Sequence, residues 1–253
     1  MNSRNKIAVV TGGSRGLGKD MVLNLAENGL DVIFTYHSNE TMANEVVDQI
    51  KKKGQKAIAY QLDTSDISQF DSFITKVTSH LKEATGSPNF DFLVNNAGTA
   101  LYAMVATTTE EQMDAAYNIH YKGVFFLTQK ALPYLNEGGG IVNISSGLAR
   151  FSFPGSSVYG SLKAAIDSLS RYMAKELGAK GIRVNSVAPG AIATDFGGGS
   201  NREADKQQII AGATALGRVG EPDDIGGVVA FLCSDKAKWV NGQRIEVSGG
   251  MML

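Results

Sequence analysis

The sequence predicts an α/β fold, a doubly wound parallel sheet of about seven strands with helices on both faces. Short, continuous apolar runs recur along the chain, each of a length suited to a strand buried on both faces. They alternate with longer segments whose apolar residues return every three or four positions, the period of an amphipathic helix. The first run leads into a glycine cluster and then directly into a helical segment. Alternation of this kind calls for crossover connections between parallel strands. With 253 residues, 43% apolar content and 29 glycines, the chain can bury a large core and fits one large α/β domain or two small ones; with no boundary visible along it, one domain over residues 1–253 is expected.

Composition also sets limits on function. The 24 basic and 25 acidic residues nearly cancel, so no basic surface for nucleic acid or an anionic membrane is expected. Cys233 is the single cysteine; it lies in an apolar run and reads as core, with no intrachain disulfide to form. His37, His80 and His120 have no partners at metal-ligand spacing, so no metal site is expected. No apolar run reaches the roughly 18 residues of a membrane span, and residues 1–6 lack the apolar centre of a signal peptide. These readings together point to a cytoplasmic protein.

The first strand is read at residues 6–11. It is followed by Gly12, Gly13, Ser14, Arg15, Gly16, Leu17 and Gly18, and then by a helix carrying Met21, Val22, Leu25 and Ala26. Glycines let backbone amides approach a pyrophosphate closely, and the helix N-terminus adds partial positive charge. A purely structural turn is the alternative. Residues 13–19 also spell the phosphate-hydrolase pattern G-x-x-x-x-G-K, but Asp20 stands where that loop needs a Ser or Thr for magnesium.

A second strand at Asp31–Tyr36 ends in His37 and Ser38. An NAD site commonly places an acid about 20 residues beyond the glycines to hold the ribose 2′-hydroxyl. No acid occurs between Asp31 and Glu40, while Arg15 can pair a 2′-phosphate. This charge logic favours NADP(H) over NAD(H), with His37 and Ser38 adding hydrogen bonds.

Helix, strand and helix follow at residues 41–53, 56–62 and 66–83. Asp63 and Thr64 close the third strand, where the carboxylate either bonds an adenine amine or caps the next helix. The fourth strand, residues 90–94, runs into Asn95, Asn96, Ala97 and Gly98, whose amides either line a crevice or brace a loop. Residues 110–135 read as one long helix carrying Asn118 and His120; Asn is costly inside a helix unless its amide has a role. The fifth strand, residues 140–145, delivers Ser145 and Ser146 at its end. A helix at 157–180, a strand at 182–188 ending in Pro189 and Gly190, a helix at 221–234 and a last strand at 243–247 complete the pattern. Residues 191–218 form a long glycine-rich connection, expected to act as a substrate lid.

Tyr159 and Lys163 stand four apart on one helix and so share a face. A phenol with an ordinary pKa of about 10 is a poor proton carrier at neutral pH. A nearby cation lowers that value, and bringing it to about 7 takes roughly 4 kcal/mol, more than one solvated ammonium supplies. A dry site and a second positive charge would have to help.

These residues jointly resemble the short-chain dehydrogenase/reductase family over essentially the whole chain, which implies a single Rossmann-like domain. The resemblance rests on Thr11 and Gly12 with Gly16 and Gly18, on Asp63, residues 95–98, Asn118, Ser146, Tyr159, Lys163, Pro189 and Gly190. Ser146 precedes Tyr159 by 13 residues and Asn118 precedes Ser146 by 28, the family's tetrad spacing, which makes Ser146 rather than Ser145 the catalytic serine. It implies that Ser146 polarises a carbonyl, Tyr159 transfers the proton, Lys163 tunes Tyr159 and binds the ribose, and Asn118 holds a water linked to Lys163. It implies cofactor contacts at Gly12, Ser14, Arg15, Leu17, Gly18, His37, Ser38, Asp63, Thr64, Asn96, Ala97, Gly98, Tyr159, Lys163, Pro189, Gly190, Ile192 and Thr194. Within the family the closest look is that of 3-oxoacyl-carrier-protein reductases. The expected activity is NADP-dependent reduction of a ketone or 3-oxoacyl thioester by a homotetramer, with substrate identity set by residues 148–153, Tyr102 and the lid. A non-catalytic NADP-binding sensor and an NAD-dependent sugar or secondary-alcohol dehydrogenase are the alternatives.

Overall fold

The computed structural model describes residues 5–253. Seven strands make one sheet: β1 (Ile7–Val10), β2 (Asp31–Tyr36), β3 (Ala57–Gln61), β4 (Phe90–Asn95), β5 (Leu135–Ile144), β6 (Arg183–Pro189) and β7 (Arg244–Val247). They are all parallel, in the order β3-β2-β1-β4-β5-β6-β7. The chain therefore builds outward from β1, returns, and builds outward again from β4. The reversal between β1 and β4 opens a crevice at the carboxyl ends of those strands.

The described residues form eight α-helices, α1 (Gly16–Glu27), α2 (Glu40–Lys52), α3 (Phe70–Thr85), α4 (Glu110–Tyr117), α5 (Gly123–Ala131), α6 (Ser157–Leu177), α7 (Ala204–Gly212) and α8 (Asp223–Leu232), of which α7 lies in the 191–218 connection rather than on the sheet. Alternate strand residues face opposite sides. Ala8, Val10, Val32 and Phe34 pack with Met21, Leu25, Ile50 and Val229 under α1, α2 and α8. Ile7, Val9, Ile33 and Leu93 pack with Phe73, Leu127, Ile166 and Met173 under α3, α5 and α6. Both faces of β1, β2 and β4 are thus buried, which is why they read as nearly unbroken apolar runs, while β3 and β7 at the sheet edges are half-buried.

The helix expected over residues 110–135 is interrupted. Residues Asn118–Lys122 form a π turn between α4 and α5, in which the Gly123 amide donates to the Asn118 carbonyl. The cause is a close approach: a Cβ on Gly123 would lie 2.1 Å from the Thr64 carbonyl oxygen. The extra residue in the turn brings the helix against the end of β3, and single-turn π segments of this sort are frequent at functional sites. The apolar period runs through the turn unchanged, so the sequence pattern gives no sign of it. The helix ends at Ala131, and Leu135 already begins β5, whose pairing with β4 shifts register between Phe90 and Phe92.

Asp20, the residue at odds with a hydrolase loop, packs α1 on α8. Its Oδ2 accepts the Gly226 amide at 2.9 Å, and a Cβ on Gly226 would come within 2.1 Å of that oxygen. Burial pushes its carboxyl up to about 6. Cys233 is fully buried beneath α8 as expected, and burial pushes its thiol up to about 12.

Candidate active site

A cleft of about 950 Å³ occupies the carboxyl ends of the strands. It gathers Gly12, Ser14, Arg15, Leu17, Gly18, His37, Asp63, Thr64, Asn96, Ala97, Gly98, Asn118, Ser146, Tyr159, Lys163, Pro189, Gly190, Ile192 and Thr194. Ser38 is the exception. Beyond Tyr36 the chain turns outward, and Ser38 is exposed and outside the lining.

The glycine turn has the open amides and close packing that a dinucleotide's phosphates would need. Arg15 is the N-cap of α1 and makes no side-chain cap bond, and the first turn of α1 holds no acid, so its amides are left for an anion. A Cβ on Gly18 would meet the Gly12 carbonyl oxygen at 1.9 Å, and one on Gly13 would meet the Phe34 ring at 2.8 Å. Only glycine lets strand, turn and helix close this tightly.

The polar residues behind the turn separate into two sets. Asn95 is a brace: its amide donates to Thr128 Oγ1 at 3.0 Å and Asn143 Oδ1 at 2.8 Å, tying β4 to α5 and β5. Asn96 donates to the carbonyls of Thr11 at 2.9 Å and Gly12 at 3.1 Å, fixing the glycine turn from beneath while lining the cleft. Asp63 does not cap α3. Its Oδ1 accepts the amide and hydroxyl of Ser65 at 2.9 and 2.7 Å, and the capping position before the next turn belongs to Asp66.

At the centre of the cleft, β5 and α6 present their polar side chains to one point. Ser145 points inward, its hydroxyl donating to the Lys163 carbonyl at 3.2 Å. Ser146, one residue on, faces the cleft, accepts the Leu148 amide at 3.2 Å and stands in hydrogen-bonding contact with the Tyr159 phenol. Lys163 is 5% exposed; its Nζ donates to the Ile144 carbonyl at 2.8 Å and lies 5.6 Å from the Tyr159 ring centroid. Burial lowers the Lys163 ammonium to about 8, against the pull of Asp167 one helical turn along.

Lys163 alone does not lower Tyr159. Burial pushes the phenol well above its usual range, and the bond from Ser146 only partly offsets this. A neutral phenol is nevertheless the form that can donate a proton.

His120 belongs to this site and was not expected there. Its ring meets Tyr159 edge-on, centroids 5.1 Å apart, and its Nε2 donates to the Thr99 carbonyl at 2.8 Å. Burial and the Lys163 charge hold it down at about 3, so it is neutral. A Cβ on Gly98 would lie 2.8 Å from the imidazole, so Gly98 makes room for the histidine. Its one sequence signal is a place two residues from Asn118, which metal-ligand spacing does not pick out.

Two further residues escaped the sequence reading. Asp195, in the 191–218 connection, forms an ion pair with Arg15 across the mouth of the cleft. Phe196 lies 6.1 Å from Tyr159, centroid to centroid. With Tyr102, Phe151 and Phe153, it gives the cleft an aromatic wall beyond Tyr159.

Sequence and structural relatives carry the same architecture. A family model described as enoyl-(acyl carrier protein) reductase matches residues 12–252. The 3-oxoacyl-[acyl-carrier-protein] reductase FabG of Staphylococcus aureus strain Mu50 is 38% identical over 250 residues, covering 98% of each chain. The chain belongs to the short-chain dehydrogenase/reductase family. It is accordingly an NAD(P)-dependent oxidoreductase with a Rossmann-like fold. The hydroxynaphthalene reductase-like protein Arp2 of Metarhizium robertsii is 37% identical over 259 residues, covering 97% of this chain and 94% of that one. Among solved structures, the landomycin C-6 ketoreductase LanV with bound NADP and rabelomycin superposes with a TM-score of 0.89 at 34% identity, over 98% of this chain and 96% of the other.

Proposed function

We propose that this short-chain dehydrogenase/reductase uses NADPH to reduce a ketone to the secondary alcohol. The observation that carries the reading is the meeting of Ser146, Tyr159 and Lys163 where the glycine-turn end of the cleft joins the aromatic end. The nicotinamide supplies a hydride when bound, chemistry that protein side chains lack. Ser146 and Tyr159 hold the carbonyl oxygen between two hydroxyls, and Tyr159 gives up its proton as that oxygen gains charge. The buried Lys163 ammonium binds the ribose and stabilises the phenolate left behind. Asn118, on the π turn, holds a water through which that proton is replaced.

Arg15 at the mouth and the lack of any acid between Asp31 and Glu40 support NADPH over NADH. Residues 191–218 act as the lid. The substrate has two forms to consider. Likeness to FabG supports a 3-oxoacyl thioester; the aromatic wall of Tyr102, Phe151, Phe153 and Phe196, with the likeness to a hydroxynaphthalene reductase-like protein, supports a flat aryl ketone. The wall favours the aryl ketone. We also infer a homotetramer, supported by exposed Met113, Tyr117, Phe125 and Tyr172 on α4, α5 and α6; sedimentation of the purified protein checks it. Among the described residues no helix is long and apolar enough to cross a membrane.

The deciding experiment titrates the protein with NADPH and NADH by nicotinamide fluorescence, then follows NADPH oxidation with aryl ketones and 3-oxoacyl thioesters. Tight NADPH binding with ketone-dependent oxidation is expected. Binding without turnover across both substrate classes would favour a cofactor sensor, and tighter NADH binding would favour an NAD-dependent alcohol or sugar dehydrogenase.

A further inference from the structure

The charged residues of the cleft are unevenly placed. Arg15, His37, Asp63 and Asp195 cluster near the glycine turn, and Lys163 lies at the catalytic point. Beyond Tyr159, where the aromatic wall begins, Lys206 is the one charged side chain lining the cleft among the described residues.

The register of α7 aims it there. Lys206, Ile209, Ile210 and Ala213 fall three and four residues apart, share a helix face, and all line the cleft. Lys206 is half-buried, whereas Arg202 and Asp205 beside it are exposed. Its Nζ donates to Ser200 Oγ at 2.6 Å and lies 6.0 Å from the Tyr102 ring centroid. Among the described residues no carboxylate lies within ion-pair distance of it, although Glu203 and Asp205 occupy the same stretch of chain. A hydroxyl and an aromatic face orient an ammonium without neutralising it. The outcome is a fixed cation facing an otherwise uncharged, aromatic compartment.

We infer that Lys206 is a specificity-determining residue that takes an oxyanion, a carboxylate or an ionised phenol, borne by the apolar body of the substrate away from its reacting carbonyl. The inference rests on reading this cleft as a ketone site. An oxyanion would complete the partnership that Ser200 and Tyr102 leave open, while an uncharged ketone would leave the ammonium half-desolvated and unpaired.

The test uses 4-acetylbenzoate and 6-acetyl-2-naphthoate, each paired with its methyl ester. Binding to the protein–NADP⁺ complex is measured by calorimetry, and turnover separately by NADPH oxidation. The wild-type protein is expected to bind the acids about tenfold more tightly than the esters, a difference that shrinks as salt is raised. Lys206→Met should erase the preference while leaving ester affinity within about twofold, and Lys206→Arg should retain it. Equal binding of acid and ester by the wild-type protein, or a preference that survives Lys206→Met, would overturn the inference. A Lys206-dependent preference without any ketone turnover would keep the oxyanion subsite and defeat the ketone-reductase reading instead.

Discussion

The floor of the cleft is built from strand ends whose polar side chains are tied to one another, whereas its outer wall, residues 191–218, is held mainly by backbone hydrogen bonds and a small apolar cluster. On the floor, Asn95 reaches Thr128 and Asn143, Asn143 reaches Ser170, and Asn96 pins the glycine turn. Along the wall, Gly197, Gly198 and Gly199 all have positive φ, Ile209 and Leu216 are exposed, and the local core is only Ala193, Ile210 and Val219. A bonded, buried network has one low-energy arrangement; a glycine-linked wall has many of similar energy. For the proposed ketone reduction, the reacting groups would therefore be set in place before substrate arrives, and adaptation to different substrates would fall to the wall.

Replacing Tyr159 by Phe gives the largest effect. Ring packing against His120 and Phe196 survives, so only the hydroxyl, the proposed proton donor, is lost. Turnover should fall about 10²- to 10⁴-fold, with NADPH affinity little changed. Retained turnover would show that another group delivers the proton.

The two regions should also respond differently to the same small insertion. Gly18→Ala places its Cβ 1.9 Å from a backbone oxygen of the floor, and α1 has to move away from β1. We expect a loss of about 3 kcal/mol of stability in denaturant unfolding, with NADPH binding impaired. Gly198→Ala meets nothing within 4 Å, and its φ of 79° is the only obstacle, so about 1–2 kcal/mol is expected. Comparable losses at both sites would mean that the wall is as rigid as the floor.

The pH dependence separates Lys163 from Tyr159. Because burial places the Lys163 ammonium at about 8, it is charged below that pH and loses its proton above it. Tyr159 is pushed upward and stays protonated throughout the range. In the reductive direction kcat/KM should be level below about pH 8 and fall up to tenfold per unit above it. Lys163→Arg should carry the plateau to higher pH if the charge alone is required. His120, held neutral at about 3, should add no limb near its ordinary value.

The same contrast explains what the sequence reveals. Buried strands and glycines at 12, 16 and 18 are legible because burial and close approach leave few residue types that fit. Ser146, Tyr159 and Lys163 are legible because fixed spacing on a strand end and one helix carries them to the same place. The π turn at residues 118–122 is not, since its cause is the Thr64 carbonyl, far away in sequence. His120 is hidden for the same reason, and Asp195 because a charge 180 residues from Arg15 gives no local signal. The direction of the Tyr159 shift follows from how deeply the fold buries the phenol, which no local pattern in the sequence shows.

Asp195 offers the smallest effect and the most direct test of how floor and wall communicate. Burial pushes its carboxyl up, but the bond and charge of Arg15 outweigh this and hold it below the usual range, so it remains ionised at neutral pH. Both partners are about half exposed, with side-chain exposures of 55% and 44%, so the pair contributes little to stability and can exchange partners readily. A cofactor 2′-phosphate, with more negative charge than a carboxylate, would compete for the same guanidinium. Asp195→Asn should therefore tighten NADPH about two- to threefold while leaving NADH unchanged, and Arg15→Ala should weaken NADPH far more than NADH. If Asp195→Asn instead weakens NADPH, the carboxylate orients Arg15 toward the phosphate rather than competing with it, and the wall then takes part in binding the cofactor as well as the substrate.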